Sequence, residues 1–82
     1  MDELSDRDRA MLDFERSWWM HSGRKDVGVR NRFDMSPTRY YQRLSLVIER
    51  PEALAYDPLL VKRLRRLRGR RRQRAAAARL GL

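Results

Sequence analysis

The sequence predicts an all-α fold: a compact trihelical, helix-turn-helix-like unit followed by a basic C-terminal helix. Three observations predict it. Apolar residues recur at intervals of three and four, as in Met11, Phe14, Trp18 and again in Leu60, Leu64, Leu67. Helix-start signals punctuate the chain at Ser5, Ser36-Pro37 and Asp57-Pro58. No stretch of useful length alternates apolar and polar residues as a half-buried strand would. The expected organisation is a globular unit over residues 1–57 and an Arg-rich amphipathic helix and arm over 58–82.

The first helix opens at Ser5, an N-cap whose hydroxyl can accept an early amide hydrogen, with Asp8 in capping-box position and Asp6 beside it at the positive helix end. Met11, Phe14 and Trp18 form its stripe, with Trp18 expected in the core and Trp19 half-buried on the flank. Gly23 ends it after His21-Ser22. A short second helix runs from Arg24 or Lys25 to Phe33, with Val29 and Phe33 inward and Arg24, Lys25, Arg30 and Arg32 outward. Gly28 within it costs about 1 kcal/mol relative to alanine, so a close approach of helices is its expected use. Ser36 caps the third helix and Pro37 takes its first position, where a missing N–H is no loss. That helix spans residues 37–50 and buries Tyr40 or Tyr41 with Leu44, Val47 and Ile48. One more turn follows at Pro51-Glu52-Ala53-Leu54-Ala55, and the last helix starts at Pro58 with Leu60, Leu64 and Leu67 inward. Gly69 is a point for it to kink or fray, and beyond it the chain has high helix propensity but almost no apolar face.

Charge separates the two parts more sharply than hydropathy does. Residues 1–61 carry ten Lys/Arg and eleven Asp/Glu, a net of −1, whereas residues 62–82 carry ten Lys/Arg and no acid, a net of +10. Such an arm repels itself unless a polyanion neutralises it. Several classes are excluded in turn. Cysteine is absent and His21 is the single histidine, which removes disulfides, thiolate nucleophiles and the usual zinc ligand sets. No apolar run reaches the roughly 18 residues of a membrane span, and the acidic start MDELSDRDRA is the opposite of a signal peptide. The acids of the first helix, Asp6, Asp8, Asp13 and Glu15, are better explained by capping and ion pairing than by metal binding. No phosphate loop or nucleophile constellation occurs. The expectation is a binding protein of the cytoplasm and nucleoid: no enzyme, no cofactor, no metal, no membrane partner and no small-molecule substrate.

The run from Val29 to Leu44 resembles a helix-turn-helix motif, with Phe33 and Met35 flanking the turn and Tyr40 and Leu44 facing inward. It departs from that pattern at Arg30, where a small residue is usual, at Asp34, where glycine is usual, and at Arg43, which precedes Leu44 by one position. The candidate recognition face is Thr38, Arg39, Gln42 and Arg43: arginine can grip guanine, glutamine can pair with adenine, and threonine can meet a phosphate or thymine methyl. Phosphate contacts are expected from Arg24, Lys25, Lys62, Arg63, Arg65, Arg66, Arg70, Arg71, Arg72 and Arg74.

The segments from Leu4 through Phe14-Glu15-Arg16-Ser17-Trp18-Trp19, then Ser36-Pro37-Thr38-Arg39-Tyr40-Tyr41-Gln42, then Asp57-Pro58-Leu59-Leu60-Val61 with the Arg/Leu repeats together resemble a family of short actinobacterial proteins. That family is catalogued as a domain of unknown function, with a member described as a nucleoid-associated, DNA-binding protein. The resemblance extends to about Arg68. It implies chromosome binding or transcriptional regulation and supplies no base-contact residues. The leading expectation is therefore a double-stranded-DNA-binding protein of nucleoid-associated or small-regulator type, with a homodimer or an RNA polymerase contact as further options. The alternative is a protein-interaction module that binds RNA polymerase or another transcription component and touches nucleic acid only incidentally. RNA binding and membrane-surface binding rank behind both.

Overall fold

A computed structural model describes residues 3–20 and 23–79, without the side chains of Arg72 and of residues 75–79. The expectations placed on His21, Ser22 and the Arg72 side chain lie outside the described residues. Helix α1 (Asp6–Ser17) continues into a single 3-10 turn (Trp18–Met20), and α2 (Lys25–Phe33), α3 (Pro37–Val47), α4 (Pro51–Tyr56) and α5 (Pro58–Arg79) follow. No strand occurs among the described residues.

Local chemistry places most of the boundaries. The Ser5 hydroxyl accepts the Asp8 N–H at 3.0 Å and the Ser36 hydroxyl accepts the Arg39 N–H at 3.2 Å, so both helices start where a side chain satisfies an otherwise orphaned donor. Asp34 ends α2 at φ 53°, ψ 42°, the left-handed conformation that aspartate tolerates better than most residues. Helix α3 stops at Val47, three residues short of the expected Arg50. The residue before a proline is driven out of helical geometry, and Arg50 before Pro51 is extended at φ −80°, ψ 138°. Helix α5 runs unbroken past Gly69, which was expected to kink or fray it.

The core joins α1, α2 and α3 through three aromatic rings. Phe14 meets Phe33 edge-on at 5.7 Å between centroids and Tyr40 at 6.0 Å, and Phe33 lies 5.5 Å from Tyr40. Leu4, Met11, Leu12, Val29, Leu44, Val47, Ile48, Ala53 and Val61 complete it. Gly28 lets α2 approach, because a Cβ there would lie 3.1 Å from the Phe14 ring. Two expectations for the tryptophans are corrected. Trp18 packs only partly against the core, and Trp19 is 65 % exposed with its indole N–H donated to the Arg16 carbonyl at 2.9 Å. The α-helix ends at Ser17 and tightens to 3-10 over residues 18–20, so the α-helical spacing that put Trp18 on the stripe does not extend to either tryptophan.

The packed unit does not end at residue 57. Val61, not one of the three leucines, is the fully buried residue among the described side chains of α5, and Leu67 is exposed. Asp57 caps the helix weakly through the Leu60 N–H at 3.4 Å and also meets Arg16 of α1 at 3.5 Å. The first part of α5 therefore belongs to the globular unit.

Candidate nucleic-acid interface

Two buried carboxylates of α1 organise the charges of the core. Asp8, 1 % exposed, receives Arg43 of α3 in a two-point clasp, Nε to Oδ1 at 3.0 Å and Nη2 to Oδ2 at 2.9 Å. Arg50 approaches the same carboxylate at 3.9 Å. The clasp holds the Arg43 pKa above the ordinary arginine value, through the Asp8 hydrogen bonds first and its charge second. Glu15 accepts Lys25 of α2 at 2.9 Å on one oxygen and the Tyr40 phenol at 2.6 Å on the other. Burial, and then the Glu15 charge, push the Tyr40 pKa far above the ordinary tyrosine value. The Lys25 ammonium lies 5.2 Å from the Trp18 ring centroid and 5.0 Å from that of Tyr41.

These contacts divide the residues expected to meet DNA. On α3, Thr38, Arg39 and Gln42 are exposed near the capped N-terminus, and Arg39 has no charge partner among the described residues. Arg43 belongs with them by position but not by chemistry. Its Nε and Nη2 donors are committed to Asp8, which gives it a role in fastening α3 to α1 that the sequence did not suggest. Lys25, expected outward, is turned in for the same kind of reason: a buried carboxylate needs a cation. Arg24 is exposed and pairs with Asp26 at 2.9 Å.

Helix α5 carries basic residues on opposite sides. Arg65 donates Nε to the Ile48 carbonyl, and Arg68 donates to the Ser45 carbonyl at 3.0 Å and to Glu49 at 3.0 Å. Those carbonyls belong to the C-terminal turn of α3, which has no basic residue of its own to satisfy them. Arg71 lies 5.5 Å from the Tyr41 ring centroid. Lys62, Arg63, Arg66, Arg70 and Arg74 are all exposed, and none makes an ion pair, hydrogen bond or ring contact among the described residues. The 3.6-residue repeat gathers these five within about 120° of arc, and the 1.5 Å rise spreads Lys62 to Arg74 over roughly 18 Å. Leu59, 82 % exposed, lies on the same face. The expected phosphate-contacting set is thus split. Arg65 and Arg71 face the protein, the other five form a continuous stripe, and Arg72 lies outside the described side chains.

Sequence reasoning missed the two carboxylate clasps, whose partners lie 35, 25 and 10 residues apart. The one local hint was Asp8 and Glu15 sharing α1 with Met11 and Phe14, since carboxylates two turns apart beside an apolar stripe are candidates for burial. No group of three or more metal-ligating side chains occurs among the described residues, and none of their helices is long and apolar enough to cross a membrane.

The family described as "Protein of unknown function (DUF3263)" matches residues 3–76, and the chain belongs to that family. No curated protein and no solved structure matches it.

Proposed function

We propose that this member of the DUF3263 family binds double-stranded DNA, with the outer stripe of α5 on phosphates and the exposed N-terminal part of α3 in the major groove. The observation that carries the reading is the stripe itself: Lys62, Arg63, Arg66, Arg70 and Arg74 are aligned and uncompensated, while Arg65 and Arg68 of the same helix are bonded to acceptors at the end of α3. A polyanion with one charge per roughly 1.7 Å of axis is the partner that would release counterions along such a line. In this reading α2, the Asp34 turn and α3 act as a helix-turn-helix, and Thr38, Arg39 and Gln42 are the side chains that reach base edges. Arg65 and Arg68 fix the far end of α3, so the two DNA-contacting elements are held together. Chromosome binding in the nucleoid, or action as a small transcriptional regulator, is the role this implies.

The test is an electrophoretic mobility assay on duplex DNA, duplex RNA and single strands at two salt concentrations. Duplex DNA should be preferred, and Arg39→Ala should weaken it by about 1 to 3 kcal/mol without lowering the melting temperature. Equal binding to all three polyanions, with Arg39→Ala silent, would remove α3 from the interface. Absence of nucleic-acid binding would leave the protein-interaction reading, with RNA polymerase as the partner to try.

A further inference from the structure

A groove of about 340 Å³ lies between α3 and the inward face of α5, within the size range of small-molecule sites. Its apolar lining comes from Tyr41, Leu44, Ile48, Leu64 and Leu67. The charges around it are unequal. Lys25 is compensated by Glu15 and Arg68 by Glu49, each within 3.0 Å. Arg71 is exposed, stands over the Tyr41 ring at 5.5 Å, and has no carboxylate partner among the described residues. We propose that this groove binds an amphipathic monoanion, a carboxylate on an unbranched or aromatic apolar body, with the body on the leucine lining and the carboxylate on the Arg71 guanidinium.

The chemistry selects this class over its neighbours. A neutral hydrocarbon would leave the Arg71 charge uncompensated, and a phosphate-rich ligand would find one uncompensated cation over an apolar floor. A guanidinium offers a carboxylate two parallel donors, and the aromatic ring beneath keeps it oriented. The site does not depend on DNA binding, because none of the five stripe residues lines the groove.

The experiment is calorimetric titration of the full chain with decanoate below its micelle concentration, and with 1-decanol as the uncharged counterpart. Decanoate should saturate one site per chain. Replacement by 1-decanol, or Arg71→Ala, should each weaken binding about tenfold or more, the worth of one charge-assisted hydrogen-bonded contact. Leu67→Asp, at an exposed position that should preserve helical circular dichroism, should abolish binding by setting a carboxylate beside Arg71. Arg30→Ala removes an exposed cation remote from the groove and should change nothing. The proposal is overturned by uptake that does not saturate or exceeds one site. It is equally overturned if 1-decanol binds as well as decanoate, or if Arg30→Ala weakens binding as much as Arg71→Ala.

Discussion

Arg66 and Arg68 stand two residues apart on one helix and do opposite things. Arg68 reaches a carbonyl of α3 and the Glu49 carboxylate, each at 3.0 Å, whereas Arg66 reaches nothing among the described residues. The same division runs through the molecule. Arg43 and Lys25 are bound to buried carboxylates, while Arg39 and the outer stripe of α5 have no such partner. A basic residue's identity and its place in a charge run therefore say little about its job. What decides is whether its side of the helix meets the chain's own acceptors. Partnered cations should be required for the fold, and unpartnered ones for binding.

The largest expected effect falls on the Asp8 clasp. Asp8→Ala leaves the Arg43 guanidinium without its carboxylate, and Arg43→Ala leaves a carboxylate that is 1 % exposed with only Arg50 nearby. Breaking one partner of a buried pair costs about 3 to 5 kcal/mol, and Arg43, 45 % exposed, belongs below that range at about 2 to 3. Each substitution should lower the melting temperature by about 10 °C or more. An unchanged melting temperature in Arg43→Ala would return that residue to the recognition face.

Alkaline pH probes the other clasp. Tyr40 holds its proton to higher pH in the folded protein than in the unfolded chain, whose tyrosines ionise near pH 10. The folded state then binds more protons, so the Tyr40 contribution is fully present below about pH 10 and is lost as pH rises beyond it. The slope is up to about 1.4 kcal/mol per pH unit. Phenolate absorbance should show one of the three tyrosines ionising only as the protein unfolds. Tyr40→Phe should be less stable at neutral pH, because Glu15 loses a donor, yet should lack this alkaline slope.

A smaller effect tests whether close helix packing supports both clasps. At Gly28 alanine gains helix propensity, but its Cβ would crowd a Phe14 ring already held edge-on by Phe33 and Tyr40. Gly28→Ala should therefore destabilise by about 1 kcal/mol in chemical denaturation. A more stable variant would mean that the Phe14 ring yields freely.

Legibility in the sequence followed the range of the interaction. Ser5, Ser36-Pro37 and Asp57-Pro58 could be read as helix starts because a cap acts within three residues. Val29, Phe33, Tyr40 and Leu44 could be assigned to the core because helical spacing carries that information. The end of α3 was misplaced because the periodic pattern continues through Ile48 while Pro51 stops the helix from outside it. On α5 the Leu60, Leu64, Leu67 stripe concealed Val61, since periodicity fixes a face only to within a residue or so. The candidate site was half legible. The charge split at residue 61 marked α5 as the basic helix, but nothing local separates Arg66 from Arg68, or Arg39 from Arg43. Their acceptors lie on other helices and are set by tertiary packing.

The division between partnered and unpartnered cations can be measured on that single pair. Duplex-DNA affinity is determined against salt concentration for the wild type, Arg66→Ala and Arg68→Ala, each at a temperature where it is folded. Arg66→Ala should make the slope of log K against log salt shallower by about 0.9, the loss of one phosphate contact, at unchanged melting temperature. Arg68→Ala should keep the wild-type slope and melt lower. Equal loss of slope in the two variants, or loss in Arg68→Ala alone, would contradict the division and show that the chain's own acceptors do not decide which arginines meet DNA.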